Sequence, residues 1–172
     1  MSQRKVRKFM LLSFKKLHEL NFQQLMVVYE EGNIENGQIR YPDHAPAEQQ
    51  RLAENDFEDY LRQDFFSLKD SSYYVWEENG RYISALRIEP YLDGVLLCAL
   101  ETKPIMRRKG YAKRLIDAVL SDYDVPVYSH ISKRNKASIA AHISCGFSKL
   151  HDGAKYLDGS VSSFADTYIY KI

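Results

Sequence analysis

Residues 97–115 read LCALETKPIMRRKGYAKRL, and the fold turns on how that stretch divides. Val95–Leu100 is an unbroken apolar run, expected to be a strand buried on both faces. Glu101-Thr102-Lys103-Pro104 ends it. From Gly110 to Tyr123 the pattern is helical, with Ala112, Leu115, Ile116, Val119 and Leu120 at i, i+3, i+4, i+7 and i+8. Between strand and helix stand Arg107, Arg108 and Lys109, then Gly110, Tyr111 and Ala112. This is the chemistry of an anion cradle. The first turn of a helix leaves N–H groups without partners, and the helix dipole adds partial positive charge there. A glycine beside a small residue lets the backbone curl close to a diphosphate. The stretch lacks the Lys-Ser/Thr of a P-loop and the three glycines of a dinucleotide-binding turn.

Working outward, Ser72–Glu77 and Tyr82–Ile88 read as strands joined by the turn Glu78-Asn79-Gly80. Upstream, a strand is expected near Val6–Leu12. Ser13 then caps a helix to about Glu31, and a polar loop with Gly32, Gly37, Pro42 and Pro46 follows. Pro46 opens a second helix whose apolar face is Ala53, Phe57, Tyr60, Leu61 and Phe65. Downstream, Pro126–Ile131 is a strand and Asn135 caps a short helix that Gly146 ends. Two more strands, Phe147–Leu150 and Ala165–Ile172, flank a loop rich in Gly, Ser and Asp. The order β-α-α-β-β-β-α-β-α-β-β implies one α/β domain over residues 1–172, a mixed sheet with helices on both faces.

A second segment agrees with the first. The pattern Arg107-x-x-Gly110-x-Ala112, with a buried strand before it and Pro104 three residues ahead, resembles the acyl-CoA signature of the GNAT superfamily of N-acyltransferases. Asn135-Lys-Ala-Ser138-Ile-Ala-Ala-His142-Ile-Ser-Cys-Gly146-Phe147 resembles that family's N-x-x-S/A-x-x-x-Y-x-x-x-G-F. The two motifs stand in the usual order, with a strand between them. The resemblance covers roughly Tyr73 to Ile172. It implies a largely antiparallel mixed sheet of six to seven strands and an acetyltransferase that binds acetyl-CoA, with no metal. The acetyl group would pass to a primary amine of a small molecule or peptide, by direct attack in a ternary complex.

By the same resemblance, main-chain groups of Leu100, Glu101 and Thr102 would pair with pantetheine amides. N–H groups from Arg107 through Ala112, with Arg108, Lys109, Gly110 and Tyr111 among them, would hold the pyrophosphate. Asn135 would hydrogen-bond the pantetheine arm, with Ser138 beside it. The residue at 142 would protonate the leaving thiolate. Two departures stand out. The acid position holds His142 where the family usually has Tyr, and Val95–Leu100 offers no carboxylate where members often place one. Glu101, at the strand's end, and His130, on the next strand, rank equally as the base that an alkylamine of pKa ~10 requires. Acceptor contacts are expected from Tyr29, Tyr41, Asp43, His44, Tyr156 and Asp158.

Bulk composition narrows the alternatives. The 24 basic and 23 acidic residues leave a net charge of +1, so no global pull toward nucleic acid or an anionic membrane exists. The charge is uneven: residues 48–64 carry six acidic side chains and residues 103–114 six basic ones. Cys98 and Cys145 lie far apart on apolar stretches, which points to reduced thiols in a cytoplasmic protein rather than a disulfide framework or a zinc site. The cations Arg4, Lys5, Arg7 and Lys8 precede an apolar run too short for a signal peptide, since Lys15 and Lys16 interrupt it. No membrane or nucleic-acid partner is expected, and the chain would be a monomer or homodimer. The competing reading is a non-catalytic acyl-CoA sensor of the same fold. A nucleic-acid module on Lys103–Arg114 would need exposed aromatics nearby.

Overall fold

The computed structural model describes residues 9–172, so the part of the first expected strand before Phe9 lies outside the described residues. The first strand, β1, is Phe9–Phe14. Ser13 therefore belongs to a strand and caps nothing. The long helix expected behind it is three pieces. These are a 3-10 turn at Leu17–Glu19, α1 (Phe22–Val28) capped by the Asn21 side chain on the Gln24 N–H, and α2 (Glu30–Arg40). The chain kinks at Tyr29 between α1 and α2. The stretch expected as loop from Gly32 is thus helical to Arg40. Gly37 is there for contact rather than for a turn, because a Cβ would stand 2.5 Å from the Gln49 carbonyl oxygen of the next helix. That helix is α3 (Pro46–Gln63), with Pro46 in its first turn as expected.

A meander follows: β2 (Ser72–Glu78), β3 (Arg81–Tyr91) and β4 (Gly94–Thr102). Then come α4 (Tyr111–Leu120), β5 (Val127–Ser132) and α5 (Lys136–Ser144). The chain ends through β6 (Ser148–His151), a small hairpin of β7 (Ala154–Lys155) and β8 (Val161–Ser162), and β9 (Ala165–Tyr170). The main sheet has seven strands in the order β1-β2-β3-β4-β5-β9-β6. All neighbours are antiparallel except β4 and β5, which the α4 crossover makes parallel.

Each face of the sheet has its own core. On one, α4 sets Leu115, Ile116 and Val119, all fully buried, against Leu86, Ile88, Leu97 and Val127. Burial of each such side chain is worth ~1.5–3 kcal/mol. On the other, Leu25, Leu61 and Phe65 cover Tyr73, Val75 and Ala85.

Two irregularities of β4 position everything that follows. First, Ala85 faces Glu101 while Arg87 faces Cys98, so one β3 residue opposes two on β4. The extra residue is a bulge at Ala99, whose φ is +52°. Second, β5 stays with β4 only from Val95–Val127 to Leu97–Ser129. Beyond Leu97 the strands part and the β4 edge toward β5 has no strand partner. For that reason Cys98, Ala99 and Leu100 are only half-buried, against the expectation of a strand covered on both faces.

Candidate active site

A cavity of about 590 Å³ opens where β4 and β5 part, walled by the end of β4, the N-terminus of α4 and the first turns of α5. Leu100, Glu101, Thr102, Arg107, Arg108, Gly110, Tyr111, Ala112, Asn135 and Ser138 line it; Lys109 does not, and Met106, Lys113, Ala137 and Ala141 join it. Met106, Ala137 and Ala141 carry no polar signature, and Lys113 stood in the sequence only as one of the six basic residues of 103–114.

The turn before α4 is built to present N–H groups. Arg108 and Gly110 both have positive φ, 61° and 79°, and such local reversals turn successive main-chain N–H groups toward one concavity. Gly110 caps α4 without a side-chain bond, and its carbonyl accepts the first helical bond, from Arg114 N–H. Ala112 and Lys113 therefore lie ahead of the first intrahelical bond with N–H groups that have no intrahelical acceptor. A Cβ built on Gly110 meets nothing within 4 Å and points into open space. Arg107 is otherwise employed. Its N–H reaches the Pro104 carbonyl, its Nε donates to the Thr102 carbonyl at 3.1 Å, and its guanidinium pairs with Glu31 and Glu101. It ties the end of β4 to the turn.

Asn135 caps α5 by accepting the Ser138 N–H at 3.0 Å on Oδ1. Its amide N–H groups remain as donors toward the cavity it lines. Glu101 has its carboxyl pKa raised by burial, an effect the adjacent Arg107 partly offsets.

The two histidines stand elsewhere. His142 is 1% exposed, packs edge-on against Phe147 at 5.0 Å, and does not line the cavity. Its Nδ1 lies 2.8 Å from the Ser138 carbonyl, which makes Nδ1 the donor and leaves Nε2 buried without a partner. Burial lowers its pKa, so the ring is neutral near pH 7 and has no proton to give from Nε2. Replacing His142 with Leu should keep turnover and acetyl-CoA affinity within about threefold while changing stability by ~1 kcal/mol. A hundredfold loss of kcat at unchanged affinity would restore it as the acid. His130 stacks edge-on between Tyr91 and Tyr156 at 5.3 and 5.1 Å, with both ring nitrogens unpartnered. Burial, with His151 nearby, lowers its pKa.

A second cavity, about 600 Å³, lies on the opposite face under α2 and α3, lined by Tyr29, Asp56, Tyr60, Arg87 and Ala99 among others. Tyr29 donates to the Ala99 carbonyl at 2.5 Å, holding the bulge from this side. The two cavities thus abut at consecutive residues, Ala99 on one and Leu100 and Glu101 on the other. Of the other expected acceptor contacts, Tyr41 is bonded to Asp56 at 2.7 Å and Tyr156 packs on His130. Arg87 was missed. Its only signal was a lone cation inside the otherwise uncharged run Tyr82–Ile88.

A mixed sheet that splays after its fourth strand, with an N–H cradle at the next helix, is an acetyltransferase architecture. The chain belongs to the Acetyltransferase (GNAT) family, whose model matches residues 38–147. Among curated proteins, none matches it by sequence. Solved structures share the fold at low identity. The PaiA N-acetyltransferase of Thermoplasma acidophilum, in complex with coenzyme A, is 12% identical with a TM-score of 0.62, over 95% of this chain and 99% of that one. PH1933 of Pyrococcus horikoshii OT3 is 14% identical with a TM-score of 0.65, over 96% and 99%. An N-acetyltransferase of Staphylococcus aureus Mu50 is 15% identical with a TM-score of 0.58, over 95% and 98%. Among the described residues no helix is long and apolar enough to cross a membrane.

Proposed function

We propose that the chain transfers the acetyl group of acetyl-CoA to a primary amine by direct attack in a ternary complex. The observation that carries this reading is the pair of cavities meeting back to back at the Ala99 bulge. One accepts the donor thioester and the other the amine, so the reacting atoms come together across a single strand. That juxtaposition converts a bimolecular encounter into a local one.

The open β4 edge at Leu100–Thr102 receives the pantetheine arm as an added strand. Gly110, Ala112 and Lys113 offer N–H groups to the pyrophosphate, Arg108 adds charge, and Asn135 donates from its amide. The fit rests on the empty space a Cβ at Gly110 would enter. Across the bulge, the amine nitrogen attacks the thioester carbonyl carbon. At the bulge, where Ala99 and Leu100 have no paired residue on β3, a main-chain N–H group stabilises the oxyanion. The C–S bond then breaks and the thiolate leaves. A thiol of pKa near ~8.5 is a tolerable leaving group, so no protein acid is required. Glu101 takes the ammonium proton, directly or through water. It is preferred over His130 because it lines the donor cavity and its pKa is raised, which strengthens it as a base.

Thermal denaturation with and without 1 mM acetyl-CoA tests the donor site. If Kd is a hundredth of the ligand concentration, linkage adds ~2.7 kcal/mol, which raises Tm by about 5–10 °C in a chain of this size. No rise would sink the donor assignment. A rise with no thiol release across amine panels would instead favour the acyl-CoA sensor.

A further inference from the structure

The acceptor cavity contains a guanidinium, that of Arg87, which forms no ion pair among the described residues. Arg87 projects from β3 beside the bulge, opposite Cys98. Its guanidinium lies over the rings of Tyr60 at 4.8 Å and Phe65 at 5.5 Å. Its Nε is buried without a hydrogen-bond partner. Among the described residues no carboxylate forms an ion pair with it. On the cavity lining Asp56 is already bound to Arg40 and Tyr41 at 2.7 Å each, and the Glu89 carboxylate, two residues along β3, accepts from the Cys98 thiol at 3.1 Å. Arginine does not escape burial by losing its proton, because its pKa exceeds ~12. A desolvated, unpaired cation is costly, and two aromatic faces offset only part of that. What the guanidinium lacks is a planar anion to accept its forked N–H groups.

Geometry says what that anion is attached to. Tyr29 lines this cavity together with Arg87 and Ala99. The same tyrosine holds the bulge carbonyl. An acceptor whose anion sits on Arg87 therefore extends past Tyr29 toward the bulge, where its amine must be for attack. Asp59 and Asp64, exposed on the lining of the same cavity, disfavour a substrate of net negative charge. A zwitterion meets both conditions.

Building on the acetyl-transfer reading above, we propose that the acceptor is a small aminocarboxylic acid whose carboxylate docks on Arg87 while its amine faces Ala99 and Glu101. The amine nitrogen gains the acetyl carbon, the thioester loses its sulfur as thiolate, and the ammonium proton goes to Glu101. Arg87 takes no part in that exchange and sets substrate choice.

The test compares wild type with Arg87→Gln and Arg87→Lys. Acetyl-CoA affinity, measured by titration calorimetry, shows that each variant is folded with an intact donor site. Thiol release is then followed with an equimolar pool of amino acids and with the matching pool of amino-acid amides. Wild type should favour the acids by about 30-fold in kcat/KM, and Arg87→Gln should erase that preference. The same two pools are added to CoA-saturated protein and Tm is recorded. The acids should raise Tm in wild type and not in Arg87→Gln. Amides used as well as acids, or no Tm rise with the acids, overturns the proposal. Failure of acetyl-CoA to bind sinks the donor assignment instead, and the Tm response of the protein to the acids alone still decides the role of Arg87.

Discussion

Gly110→Val should weaken acetyl-CoA binding by about 10²–10⁴-fold while the protein stays folded. Gly110 has φ +79°, and the space a Cβ would enter is empty of protein atoms. Two effects add. A β-branched residue is strained in the left-handed region, which tilts the turn away from its present form. The methyl groups also fill the concavity where phosphate oxygens would meet main-chain N–H groups. Losing two charge-assisted hydrogen bonds of ~1.5–3 kcal/mol each weakens binding by about 10²–10⁴-fold. Because the side chain points outward, the core under α4 is untouched and the far-UV circular dichroism should match wild type. Gly110→Asn is the companion variant. Asparagine tolerates positive φ, so it should retain the turn and lose affinity only by obstruction. Acetyl-CoA affinity unchanged in both would remove the cradle from the mechanism.

Glu101→Gln should lower kcat by about 10²–10⁴-fold, the usual worth of a positioned base, with acetyl-CoA affinity preserved. The substitution keeps the backbone of β4, which is what the donor is expected to touch. Arg107 retains Glu31 as a partner. The pH profile carries the sharper prediction. A base must be deprotonated, so activity falls as pH drops through its pKa. Burial raises the Glu101 pKa above 4.5, with Arg107 pulling the other way, so the acid limb should sit above the ordinary carboxylate range. In Glu101→Gln that limb should vanish. A limb that survives there and disappears in His130→Gln would transfer the role to His130, whose own pKa lies below 6.5.

How far the chain could be read beforehand depended on the range of the interaction. The glycine turn that starts α4 and the cap of α5 were legible because both are local. Gly110 and Asn135 each act within four residues of themselves, on N–H groups that a helix start always exposes. The apolar period of α4 was legible for the same reason. The three-piece N-terminal region was not. Ser13 and Asn21 are both acceptable caps by composition, and pairing of Ser13 with Tyr74 across β1 and β2 decided between them. Gly32 and Gly37 read as loop signals, yet Gly37 serves close packing of α2 on α3 at a distance no local pattern records. His142 matched a motif position by count alone. Its burial against Phe147 and its bond to the Ser138 carbonyl follow from how α5 lies on the sheet.

By itself, then, the sequence determined the order of elements from β2 to α5, the apolar face of α4, the strand–turn–helix unit around Gly110 and the family, since each depends on periodicity or on spacing along the chain. Tertiary structure alone decided the bulge at Ala99, the parting of β4 from β5, the second cavity and the unpaired Arg87 within it. Those features arise from register between strands distant in sequence, and from which face α2 and α3 cover. A one-residue offset in register moves every side chain of a strand to the opposite face, so no count along the chain could place them.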